Sequence, residues 1–91
     1  MDMQLVCTDL GRAPEVRNIL GKSTGRRQTA DGVIIEFPND DATARTLFEF
    51  VLAERRCCAH FTYEVAFAPE LTLRMRASGL YLVPLKMMYA L

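Results

Sequence analysis

The sequence predicts an α+β domain, a largely antiparallel sheet with two or three helices packed on one face. Three patterns carry that prediction. Apolar residues recur at helical spacing across 40–57, the longest periodic run in the chain. From His60 the period changes to two, and alternation returns after Pro69-Glu70 in "LTLRMRA". Asp31-Gly32 stands between two runs of strand character, which is a hairpin signal. With 91 residues there is room for one core, so residues 1–91 form a single domain.

The opening stretch "QLVCT", residues 4–8, reads as a strand with Leu5 and Cys7 on one side. "DLGRAP" interrupts it, and Pro14 suits the first turn of a short helix. That helix, "EVRNILGK", carries Val16, Ile19 and Leu20 on one stripe and ends near Gly21. "STGRRQTADGVIIEF" follows as the hairpin, and Pro38, which has no amide hydrogen for the sheet, closes it. Asn39 or Asp40 then caps the long helix, because a side-chain oxygen there accepts one of the unpaired amide hydrogens of the first turn. The apolar stripe expected on that helix is Ala44, Leu47, Phe48, Val51, Leu52 and Cys58, with Phe50 off the stripe and turned toward a neighbouring element or partner.

Beyond the helix, Phe61, Tyr63, Val65 and Phe67 point one way, and His60, Thr62, Glu64 and Ala66 the other. Leu71, Leu73, Met75 and Ala77 line the matching face of the return strand, opposite Thr72, Arg74 and Arg76. Such alternation belongs to an antiparallel pair with one dry and one wet face. A last helix covers part of 78–91, and Pro84 leaves its start open.

Composition narrows the function classes. Eleven basic residues balance eleven acidic ones, so no net field draws nucleic acid or an anionic membrane. The start "MDMQLVCTDL" lacks the basic and apolar regions of a signal peptide, and the apolar end carries Pro84 and Lys86 and is too short for a membrane helix. These features predict a cytoplasmic protein. Three cysteines, two of them neighbours, do not make a secreted disulfide framework, so the thiols are expected to be reduced.

The chemistry concentrates in "AERRCCAHFTYEV", residues 53–65. Adjacent thiolates suit a soft cation such as Hg(II), Cu(I) or Zn(II), and the imidazole of His60 can complete a site. Successive helical residues diverge by about 100°, so the two sulfurs converge only if the helix ends beside them. Cys7 supplies a third sulfur if the opening strand lies alongside. Glu54, three and four residues before the pair, is an oxygen ligand or proton acceptor at helical spacing. The spacing differs from that of a structural zinc site, whose cysteines come in two separated pairs. A competing reading treats the cysteines as small core hydrophobes, since Cys58 lies in register with Leu47.

The run Glu54-Arg55-Arg56-Cys57-Cys58-Ala59-His60-Phe61 resembles a group of small bacterial proteins with a Glu-Arg-x-Cys-Cys-x-x-Phe signature. A further aromatic residue and a Glu often follow it, here Tyr63 and Glu64, and "LVCTD" is similar to the group's opening strand. Members are mostly uncharacterised, and some are associated with heavy-metal resistance. The resemblance implies that Cys57 and Cys58 face the metal with Glu54 in support. Ala59 and His60 depart from the group, which has a proline and a larger apolar residue there.

Other signals carry less. "GKSTG" lacks the glycine and the following helix of a phosphate-binding loop. Five methionines read as core filling or contact surface. A thiol oxidoreductase is disfavoured, because two residues normally separate redox cysteines. The expected function is therefore soft-metal binding for sequestration, sensing or hand-over, without catalysis. The alternative is an interaction domain whose cysteines are structural and whose apolar segment 80–91 docks on a protein partner or a second copy, as a homodimer.

Overall fold

The computed structural model describes residues 18–57 and 60–89, with the backbone alone for Cys57. The expected strand at 4–8 and the start of the first helix lie outside them. Among the described residues, four strands form one antiparallel sheet: β1 (Gly25–Thr29), β2 (Gly32–Phe37), β3 (Thr62–Ala66) and β4 (Leu71–Arg76). Their order across the sheet is β1-β2-β4-β3. Two α-helices accompany it, α1 (Asp41–Cys57) and α2 (Leu82–Tyr89), with 3-10 turns at Ile19–Lys22 and Gly79–Tyr81. No described helix is long and apolar enough to cross a membrane.

Alternation decides which face of the sheet is dry. Val33, Ile35 and Phe37 of β2 lie opposite Met75, Leu73 and Leu71 of β4, and all six are buried. Tyr63 and Val65 of β3 extend this face beyond Met75 and Leu73. Leu47 and Phe50 from α1, Leu85 and Tyr89 from α2, and Ile19 from the first 3-10 turn join the same core. The other face carries Arg27–Glu36, Arg74–Asp31 and Arg76–Glu64 ion pairs at 3.1, 3.7 and 3.8 Å. These are partly exposed pairs, worth under about 1 kcal/mol each.

The hairpin loop is Ala30-Asp31, one residue earlier than the sequence signal, because Thr29 pairs with Gly32. Gly32 is needed for a different reason from the turn. A Cβ placed there would sit 1.8 Å from the Met75 carbonyl oxygen, so the β4 backbone occupies the space a side chain would take. The close approach, not an unusual backbone angle, selects glycine.

Asp40 caps α1. Its Oδ1 accepts the Thr43 amide at 2.8 Å, and its Oδ2 accepts the Thr43 hydroxyl at 3.1 Å. These bonds, the amide bond first, hold the Asp40 carboxyl below its usual range, with Lys22 adding a smaller effect. Asn39 ties the same corner to the residue after β3 by donating to the Phe67 carbonyl at 2.7 Å. The helix has the expected length but presents a different face. Thr43, Leu47, Phe50 and Glu54 are buried, whereas Phe48 and Leu52 are 44% and 48% exposed. The inward face is thus rotated about a quarter turn from the apolar stripe. Two polar side chains on the inward face account for the difference, since each has a bonding partner: Thr43 with Asp40 and Glu54 with Tyr89.

Arg26, on the core side of β1, ties the first 3-10 turn to the end of α2. Its guanidinium donates to the Leu20 carbonyl at 2.9 Å and the Tyr89 carbonyl at 3.4 Å, and its Nε donates to Ser23 Oγ at 3.2 Å. Three different guanidinium nitrogens make these bonds, a spread of donors that the single nitrogen of a lysine lacks. The "GKSTG" segment runs from the 3-10 turn into β1, with no helix after it.

Candidate functional site

The segment singled out by its thiols joins the end of α1 to the start of β3. The helix is described to Cys57 and β3 begins at Thr62, so only residues 58–61 separate the two elements. Arg55 and Arg56 occupy the last turn and are exposed. Their positive charge opposes the partial negative charge of the helix end, favouring an anionic group there. Cys58 and Cys7 lie outside the described residues, as does the Cys57 side chain.

Two of the five candidate residues have described side chains. Glu54 is 4% exposed and points into the core, where its Oε1 accepts the Tyr89 hydroxyl at 3.2 Å. That bond joins the last turns of α1 and α2. His60 is exposed, and its imidazole lies flat on the Tyr81 ring, with centroids 3.9 Å apart and planes 7° from parallel. Tyr81 is half-buried and packs against the core, so it gives the imidazole a fixed support. Stacking engages the face of the imidazole; the two nitrogens lie on its edge. Next to His60, Phe61 is buried and anchors the entry into β3.

Among the described residues, no group of three or more His, Cys, Asp or Glu side chains could hold a metal ion. Glu54 and His60 therefore do not make a site with other described residues. Met75 is core and Met87 is 70% exposed, in line with core filling and surface contact.

Sequence reading missed the partners of both residues. Tyr81 and Tyr89 belong to the apolar end segment, and no local spacing connects them to residues 54–60. It also missed a surface depression between α1 and β3, lined by Phe48, Val51, Leu52, Arg55, Tyr63 and Val65. The signal was present in Phe48 and Leu52, apolar residues at helical spacing that the fold leaves outward. The chain matches no protein-family model, no curated protein and no solved structure.

Proposed function

We propose that this protein binds a soft metal ion, Hg(II), Cu(I) or Zn(II), through Cys57 and Cys58, and that it sequesters, senses or hands over that ion. The observation that supports this most is a vicinal cysteine pair placed where α1 gives way to β3, directly after two exposed arginines. Two adjacent thiolates satisfy a cation that accepts low coordination and prefers sulfur. His60 is the candidate nitrogen donor: its ring edge can coordinate while its face rests on Tyr81. Glu54, buried in the last turn of α1 and bonded to Tyr89, supports the pair by fixing that turn of the helix. Cys7 is the candidate third sulfur.

Titration of the reduced protein with each of the three ions tests the proposal. Tight, roughly equimolar binding is expected, lost in a Cys57→Ser, Cys58→Ser double variant that keeps its far-UV circular dichroism. Unchanged affinity in that variant would overturn the assignment.

A second reading, an interaction domain with structural cysteines, draws on α2. Leu80, Val83 and Met87 are 89%, 64% and 70% exposed, an outward apolar stripe at helical spacing. A short helix apolar on both sides ordinarily has something against each. Val83→Asp separates the two readings: it would abolish partner docking and leave metal affinity intact.

A further inference from the structure

Helix α1 carries two seams with the same 4-3-4 spacing. Thr43, Leu47, Phe50 and Glu54 form the inner one, and all four are buried. Asp41, Arg45, Phe48, Leu52 and Arg55 form the outer one, and all five are exposed. This alternation of fours and threes is the spacing by which one helix lies along another. The centre of the outer seam is apolar and continues onto the sheet. Phe48 contacts Phe67, itself 49% exposed, with ring centroids 5.8 Å apart, and Val51, Leu52, Tyr63 and Val65 line the adjoining depression.

The ends of the seam determine what can cover it. α1 is capped by acidic Asp40, begins at Asp41 and carries basic Arg55 and Arg56 in its last turn. We propose that a second copy of this chain covers the face, with α1 lying antiparallel to its counterpart about a twofold axis beside Phe48. Phe48 then meets Phe48 of the other copy, and Leu52 lies against Ala44 and the stem of Arg45 of the other copy. In that register Asp41 faces Arg55 of the other copy and Asp40 faces Arg56, each contact occurring twice. A parallel arrangement would instead set Asp41 on Asp41 and Arg55 on Arg55, so the charges select the antiparallel one. Zero net charge means that two copies meet without overall repulsion. This interface does not depend on the metal reading and is separate from the outward stripe of α2.

Sedimentation equilibrium on the full chain across the micromolar range tests it. A monomer–dimer equilibrium is expected. Phe48→Asp should raise its dissociation constant at least ~30-fold, the penalty of losing a central interface anchor, while Val83→Asp leaves it unchanged. Asp41→Arg and Arg55→Asp should each weaken the dimer, and the two together in one chain should restore it. Phe48→Cys, being next to the axis, should form a disulfide with its own copy under mild oxidation, identified by peptide mapping, whereas Arg27→Cys on the opposite face of the sheet should not. The cross-link remains informative should Phe48→Asp fail to fold. A monomer at every concentration, a dimer indifferent to Phe48→Asp, or failure of the charge exchange to restore association would overturn the interface.

Discussion

Replacing Tyr89 with Phe removes one oxygen and leaves the ring in place. In the native chain that hydroxyl donates to Glu54 Oε1 at 3.2 Å, and the two residues are 5% and 4% exposed. A hydrogen bond to a carboxylate contributes about 1.5–3 kcal/mol. The separation is long for an O–H···O bond, which favours the lower end, about 1.5–2 kcal/mol. Unfolding entropy of about 2.1 cal/mol/K per residue makes each kcal/mol worth about 5 °C for a chain of 91 residues. Tyr89→Phe should therefore lower Tm by about 8–10 °C, a large share of a total stability on the order of 5–14 kcal/mol. Calorimetry on Tyr89→Phe, Glu54→Gln and the double variant isolates the pair, and a coupling of about 1–2 kcal/mol is expected. A shift under about 2 °C together with zero coupling would refute the reasoning. The same variants bear on the metal reading. If Glu54 supports the thiols, Tyr89→Phe also weakens metal binding several-fold, whereas unchanged affinity would confine the bond to joining the helices.

Three further outcomes are expected. Gly32→Ala should unfold the protein or cost several kcal/mol, about 3 or more, because the added methyl and the Met75 carbonyl cannot both fit without opening the β2–β4 ladder; a well-folded variant by circular dichroism would contradict this. Asp40→Ala should destabilise at neutral pH. A depressed carboxyl contributes stability above its unfolded pKa and loses it as pH falls through the lower folded value, so the gap from the native chain should narrow in acid; a gap independent of pH in thermal melts would contradict the cap. Arg26→Lys should cost about 1–2 kcal/mol in denaturant unfolding, since one ammonium cannot reach both the Leu20 and Tyr89 carbonyls; an unchanged midpoint would remove this role.

The parts of the fold readable in advance share one property: their burial is one-sided and their polar residues are outside. β4 alternates without exception, so its buried face follows from spacing alone. The length of α1 was legible too, from the Asp40 cap to Cys57. Its inward face was not, because Thr43 and Glu54 look like surface residues until their partners are known. Phe50, placed off the stripe by its spacing, is core for the same reason. Gly32 marked the hairpin to within one residue, but its cause is a carbonyl on a strand far along the chain, which no local pattern displays. The cysteine pair was conspicuous by composition. The supports of its neighbours, Tyr81 under His60 and Tyr89 against Glu54, arise only when the end of the chain returns to the end of α1.

The order β1-β2-β4-β3 also has a kinetic consequence. Each outer pair is a hairpin closed by a short loop, so both can zip early from contacts near in sequence. The central ladder is different: Phe37 meets Leu71 only after α1 and β3 have been bridged. Closing a loop of that size carries an entropic barrier of roughly 3 kcal/mol. A nascent α1 shortens the search by taking up most of the slack. On this topology the pairing of β2 with β4 is expected to limit folding, with the two outer hairpins forming from nearer contacts.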